Sequence, residues 1–221
     1  MKRYGNLYER ICSIDNLREA FENASIGKRN RSDVLEYGKN LEANLEELRR
    51  ELLSHTYKTS DYHIFTLYEP KERIIYKLPF RDRVVHWAIM LLIEPIWTRN
   101  FTRDTYACVK GRGIHPLLNK LRRDLQDDPE GTAYCLKLDV RKFYPSINHE
   151  ILKEVIRQKI KDPELLWLLD GIIDSADTGV PIGNYLSQFF ANLYLSELDH
   201  LLKESYGVRY YYRYADDIVL L

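Results

Sequence analysis

Three aspartates have the type and spacing to do chemistry. Asp139 closes one alternating apolar–polar run, and the adjacent pair Asp216-Asp217 lies between a second alternating run and a short apolar one. If the strands those runs predict are neighbours, up to three carboxylates meet at one sheet edge. Such a cluster repels itself unless cations neutralise it, and oxygen-only ligation favours Mg²⁺ or Mn²⁺. Two such ions about 4 Å apart clamp the attacking and leaving oxygens of an in-line phosphoryl transfer. Lys137, on the same strand face as Asp139, fits an anionic substrate or a charge partner. Adjacent aspartates are also common in plain polar turns, and Asp127-Asp128 reads that way. Asp216-Asp217 differs in its setting, because aromatic and aliphatic strand patterns flank it where a solvating turn prefers Asn-Gly or Asp-Gly.

The elements that must position these carboxylates follow from periodicity. Residues 133–140 read as a strand, with Tyr134, Leu136 and Leu138 on one face and Cys135, Lys137 and Asp139 on the other. Residues 208–214 and 218–221 give strand, acidic tight turn, strand. Helical spacing predicts a helix over 32–54, with Ser32 as its cap and Leu41, Leu45, Leu48 and Leu52 on its apolar face. A hairpin is predicted over 62–80, around Glu69-Pro70-Lys71-Glu72. A buried helix follows, with Val85, Ile89, Leu92 and Ile96 on one stripe and an interruption at Pro95. Helices are expected over 149–160, capped by Asn148, and over 185–205, stopped near Gly207. Helices set against a small antiparallel sheet make the fold class α+β.

Composition narrows the rest. The 221 residues carry 33 Lys+Arg and 33 Asp+Glu, and this zero balance excludes a uniformly basic nucleic-acid binder. The longest wholly apolar run, residues 87–93, is far too short for a membrane span. The opening Met-Lys-Arg-Tyr-Gly-Asn has no apolar stretch behind its charges, as a secretory signal would. Cys12, Cys108 and Cys135 are scattered and odd in number, so they read as reduced, ordinary buried thiols. A cytoplasmic protein without membrane contact is expected.

The residues resemble a known family. Tyr214-Ala215-Asp216-Asp217 is similar to the YxDD box of reverse transcriptases, and Leu138-Asp139-Val140-Arg141-Lys142-Phe143-Tyr144-Pro145-Ser146-Ile147 to their first catalytic aspartate motif. The stretch from Leu78-Pro79-Phe80-Arg81-Asp82-Arg83, with Tyr106 and Gly111-Arg112-Gly113-Ile114-His115 downstream, resembles the fingers of bacterial enzymes of the group II intron kind. The resemblance implies a right-hand polymerase: an N-terminal helical segment over 1–56, fingers over 57–132 and an incomplete palm over 133–221. It implies RNA-directed DNA synthesis with two Mg²⁺ or Mn²⁺ ions, an RNA template, a DNA or RNA primer and dNTPs. Asp139, Asp216 and Asp217 would then bind metal, with the Val140 carbonyl as a further ligand. Tyr144, five residues after Asp139, matches the gate that excludes a ribonucleotide 2′-OH. Arg73, with Lys71 as second candidate, falls where the fingers hairpin grips the triphosphate.

Two departures from the family pattern are informative. In Val180-Pro181-Ile182-Gly183-Asn184-Tyr185-Leu186-Ser187-Gln188, Ile182 replaces the glutamine usual in group II intron enzymes. The residues Ile182, Gly183, Ser187 and Gln188 resemble the reverse transcriptases of diversity-generating retroelements, whose synthesis is error-prone at template adenines. Replacing an amide by an apolar wall beside the nucleotide removes polar contacts that hold one geometry. That resemblance also implies a small basic accessory protein. The second departure is length: the chain stops four residues after Asp217. The late palm lysine, primer grip and helical thumb lie outside it, so feeble or no processive synthesis is expected of these residues alone. Within the same fold, a retron or phage-defence reverse transcriptase is the alternative. From another class the alternative is a non-catalytic RNA-binding module, although three clustered like charges serve no pure binder.

The zero net charge conceals a polarity. Residues 57–123 hold thirteen basic residues, among them Arg81, Arg83, Lys110 and Arg112, against six acidic ones, an excess of seven. The remainder carries the opposite excess. A basic surface for a phosphate backbone, with Lys137 beside it on the palm, and an acidic site for metal cancel in the sum.

Overall fold

A computed structural model describes residues 2–68 and 72–221. The N-terminal region is helical: α1 (Tyr8–Ile11), α2 (Ile14–Ser25), α3 (Ser32–Lys39) and α4 (Leu41–Leu53). The hairpin β1 (His63–Leu67) and β2 (Arg73–Lys77) follows, then the long helix α5 (Phe80–Thr98) and α6 (Ile114–Asp127). Next come β3 (Leu136–Asp139), α7 (Phe143–Ser146), α8 (His149–Arg157) and α9 (Pro163–Ile173). Helix α10 (Tyr185–His200) runs into a π turn at Leu201–Ser205, and β4 (Tyr211–Tyr214) and β5 (Asp217–Leu220) complete the order. The fold is α+β, with a separate two-stranded antiparallel hairpin and a three-stranded sheet in the order β3-β5-β4.

Most predicted elements are present, with instructive differences. The single helix expected over 32–54 is two, broken at Asn40, whose backbone leaves the helical region (φ −122°, ψ 41°). Ser32 is the first helical residue, and no side chain caps that end. Helix α5 runs through Pro95 without stopping. The proline sits near the C-terminal end, where one lost hydrogen bond is offset by the fully buried Ile93 and Trp97 on either side. Asn148 caps α8 as expected, its Oδ1 accepting from the Ile151 amide at 3.1 Å. Helices α6, α7 and α9 have no counterpart among the elements read from the sequence, and α1 and α2 lie in the stretch expected only as a helical N-terminal segment.

Helix α5 is apolar around most of its circumference, which suits an element surrounded by others. It forms the centre of one core with α2, α4, α8, α9 and α10, through Leu17, Leu48, Ile89, Trp97, Leu169 and Phe189. A smaller cluster, Tyr106, Leu117, Tyr210 and Tyr212, joins α6 to the three-stranded sheet.

Strand β4 connects these cores to the turn that carries Asp216. Its side chains alternate as a strand requires, yet both faces are covered. Tyr210 and Tyr212 point towards α6, where their hydroxyls donate to Asp128 and Asp124. Tyr211 and Arg213 point towards α10, where both meet Asp199. Asp128 is therefore more than a polar turn residue: it also accepts from the Gly131 amide and Arg209. Strand β3, at the opposite edge, is exposed along its length.

Candidate active site

The turn between β4 and β5 contains only Ala215 and Asp216, since Tyr214 pairs with Asp217 in the ladder. Two-residue hairpin turns need positive φ at their first central residue, and Ala215 supplies it at +55° despite its Cβ. On the other side of β5, Asp139 is the register partner of Asp217. The neighbouring strands thus bring Asp139, Asp216 and Asp217 to one sheet edge. Burial and the charges of Asp139 and Asp217 push the Asp216 carboxyl above the usual range, and Arg73 opposes that shift.

The convergence is looser than the sequence suggested. Among the described residues, no three His, Cys, Asp or Glu side chains are grouped to hold a metal ion. Two opposed strand carboxylates repel, and Asp217 pairs instead with Lys137 Nζ at 3.6 Å. Lys137 is thus a charge partner at the site, largely exposed. The donor set itself, three carboxylates at one edge and no sulfur or imidazole among them, suits Mg²⁺ or Mn²⁺.

Tyr144 stands beside this edge. Burial pushes its hydroxyl up to about 12, with Cys108 and Asp216 adding to the shift and Arg213 and Arg73 opposing it. Arg73, exposed at the start of β2, therefore lies within electrostatic reach of both Tyr144 and Asp216. Lys71 lies outside the described residues.

A glycine that the sequence did not single out holds Tyr144 in place. Gly179 has φ +62°, and a Cβ there would lie 2.2 Å from the Tyr144 carbonyl oxygen and 2.5 Å from Pro145 Cα. The next residue, Val180, donates its amide to that same carbonyl at 3.0 Å. The loop at 180–188 is tied in turn to the hairpin: the Tyr76 amide donates to the Ile182 carbonyl at 3.0 Å. Gly183, at φ +119°, leaves room there that a Cβ would contest with Ile75 and the Tyr76 carbonyl. Gln188 Oε1 accepts from the Cys108 thiol at 3.1 Å. Cys108 and Cys135 are exposed, and only Cys12 is buried as the scattered thiols were expected to be.

The basic residues of 57–123 divide sharply. Arg81 pairs with Glu51 and lies over the Tyr57 ring. Arg83 donates to the Leu78 carbonyl at 3.1 and 3.2 Å and faces Asp33 at 3.6 Å. Arg112 donates to the carbonyls of Thr102 and Thr105 at 2.6 and 2.9 Å. These three guanidiniums are engaged by their own chain, whereas Lys110 is exposed. Nothing in a one-dimensional charge count distinguishes the two kinds.

Residues 66–221 match the family model described as "Reverse transcriptase (RNA-dependent DNA polymerase)". The chain belongs to the reverse transcriptase family. It is 28% identical to Protein YkfC of Escherichia coli strain K12 over 181 residues, covering 75% of this chain and 47% of that protein. It is 26% identical over 130 residues to the group II intron-encoded protein LtrA of Lactococcus lactis subsp. cremoris, covering 54% and 21%. Nuclear intron maturase 4, mitochondrial, of Arabidopsis thaliana is 22% identical over 208 residues, covering 86% and 24%. The matched part is less than half the length of each of these relatives. No helix among the described residues is long and apolar enough to cross a membrane.

Proposed function

We propose that this chain is the fingers and palm of an RNA-directed DNA polymerase that joins dNTPs to a primer 3′-OH by two-metal nucleotidyl transfer. The single observation that carries the reading is the ladder that sets Asp139 opposite Asp217, with Asp216 in the adjoining two-residue turn. Residues 57–132 are the fingers, 133–221 the palm and 1–56 a helical N-terminal segment. Asp139, Asp216, Asp217 and the Val140 carbonyl would hold the ions. Bound there, Mg²⁺ or Mn²⁺ supplies charge neutralisation for the attacking and leaving oxygens. The protein's own contribution is positioning. Arg73 grips the triphosphate from the hairpin, Tyr144 closes the space beside the sugar 2′ carbon, and Lys110 and Lys137 meet the template–primer backbone.

Ile182, Gly183 and Gln188 line the nucleotide in this reading, and Ile182 favours error-prone synthesis at template adenines of the diversity-generating kind. A small basic accessory protein belongs to that version. The group II intron-encoded relative and the nuclear intron maturase support the polymerase family without favouring that branch.

The test is extension of a primed RNA template by the full-length protein with Mg²⁺ and dNTPs. The expected result is DNA synthesis that is lost in the Asp216→Asn, Asp217→Asn double variant. Wild-type protein that binds RNA but makes no DNA, and whose Mn²⁺ binding the double variant leaves unchanged, would instead identify a non-catalytic RNA-binding module.

A further inference from the structure

The chain buries a charge network directly behind the Ala215-Asp216 turn. Arg213 and Asp199 are both fully buried. Arg213 Nε donates to Asp199 Oδ1 at 2.7 Å and Nη2 to Oδ2 at 2.6 Å, a two-pronged pair. Burying two charges is expensive, and a pair of apolar residues of similar volume often serves stability as well or better. The network therefore calls for a role other than holding the core together.

The third nitrogen shows where that role lies. Nη1 donates to the Ala215 carbonyl at 2.9 Å and to Asn192 Oδ1 at 2.9 Å. Ala215 is the residue held at positive φ, and its carbonyl immediately precedes Asp216. Asn192 is fixed by its own donation to the Ala107 carbonyl at 2.9 Å. The Arg213 backbone is held as well: its amide donates to the Asp104 carbonyl, and its carbonyl accepts from Tyr106, both at 2.9 Å. Asp199 takes further bonds from Thr105 and Tyr211. The guanidinium is held from the core by Asp199 and Asn192, and it reaches the turn through the Ala215 carbonyl.

We infer that Arg213, oriented by Asp199 and Asn192, is a positioning residue that fixes the Ala215-Asp216 turn and thereby aims the Asp216 carboxylate at Asp139. The inference rests on the polymerase reading above. A strained two-residue turn with a half-buried carboxylate has alternatives, and a rigid donor on the Ala215 carbonyl removes them. Lysine cannot replace this arginine, because a single ammonium cannot span both Asp199 oxygens and reach the turn.

The experiment compares the full-length protein with Arg213→Lys and Tyr211→Phe. Tyr211→Phe strips a bond from Asp199 but leaves the guanidinium–turn contact, so it serves as the stability control. Primer extension is measured against Mg²⁺ concentration, with melting curves to correct for folded fraction. Arg213→Lys is expected to lower kcat about tenfold or more and to raise the Mg²⁺ needed for half-activation several-fold. Its KM for dNTP stays within about twofold. Tyr211→Phe is expected to lower Tm and leave the Mg²⁺ requirement unchanged. The inference is overturned if Arg213→Lys leaves the Mg²⁺ requirement of the folded protein unchanged, or if both variants shift it equally. Should Arg213→Lys fail to fold, Asn192→Ala is read instead. It removes one partner of Nη1, keeps the ion pair, and must shift the Mg²⁺ requirement in the same direction or the inference fails. A wild-type protein that makes no DNA with either Mg²⁺ or Mn²⁺ would overturn the polymerase reading itself, and the inference with it.

Discussion

Asp139 and Asp217 face each other as register partners across the β3–β5 ladder. Like charges placed directly opposite in an antiparallel pair destabilise it by roughly 0.2–1 kcal/mol. Lys137, also on β3, compensates only in part at 3.6 Å. The edge thus costs stability, a cost that cations bound as proposed above would offset.

Asp139→Asn therefore has two opposite effects. Removing one of the opposed charges raises Tm by about 1–3 °C in the absence of divalent ions. The same change lowers primer extension by about 10²-fold or more, by removing a charged group at the reacting centre. Calorimetry and extension on one preparation test both, and a Tm that falls instead would mean the opposition is not felt.

Gly179→Ala probes the support of Tyr144. The positive φ disfavours a side chain, and the added Cβ would lie 2.2 Å from the Tyr144 carbonyl. Backbone strain of this kind costs on the order of 1–3 kcal/mol. Because the strain is relieved by moving residues 144–145, discrimination between dNTP and rNTP should fall together with Tm. Loss of stability with unchanged sugar selectivity would separate Gly179 from the gate.

Sequence patterns that repeat locally were legible, and relations across the fold were not. The hairpin β1–β2 shows as short apolar runs on either side of a polar turn, and the segment around Asp216-Asp217 as an alternating run, an acidic turn and an apolar run, so their existence could be read directly. That Tyr212 and Arg213 lie on opposite covered faces of β4 could not, because coverage depends on α6 and α10. The break at Asn40 comes just before the repeat of Leu41, Leu45, Leu48 and Leu52, where Gly38 and Asn40 favour a helix end that the leucine spacing alone passes over. Arg81, Arg83 and Arg112 look the same as Lys110 in a charge count, and differ only in the carboxylates and carbonyls that the fold sets beside them. Gly179 and Asp199 carry no motif; their significance lies in which backbone or guanidinium they meet.

The pH dependence of stability should be dominated at the acid end by His86 in α5. The ring is buried, and burial pushes its pKa down to about 4, against the pull of Asp82. The unfolded chain takes up this proton near pH 6.5, the folded chain only near 4. The stabilising contribution is therefore complete above pH 6.5, and it is lost as pH falls through that window. The loss reaches about 3 kcal/mol at pH 4. His86→Gln, which does not titrate, should show a flatter fall in Tm between pH 7 and pH 4.5. A slope equal to that of the wild type would assign the acid sensitivity to other groups.

Ile182→Gln tests whether the apolar wall sets fidelity. The backbone of this loop is fixed independently of the side chain, by the Tyr76 amide on the Ile182 carbonyl and by the close approach at Gly183. The exchange therefore alters the half-buried surface offered to the nucleotide while the loop stays in place. A glutamine amide adds polar contacts that favour one geometry of the nascent pair, and an unmet amide penalises the others. Misincorporation opposite template adenine should fall several-fold in primer extension, with the overall rate changed less. An unchanged error spectrum would remove Ile182 as the source of low fidelity, and with it the main support for the diversity-generating branch of the proposal.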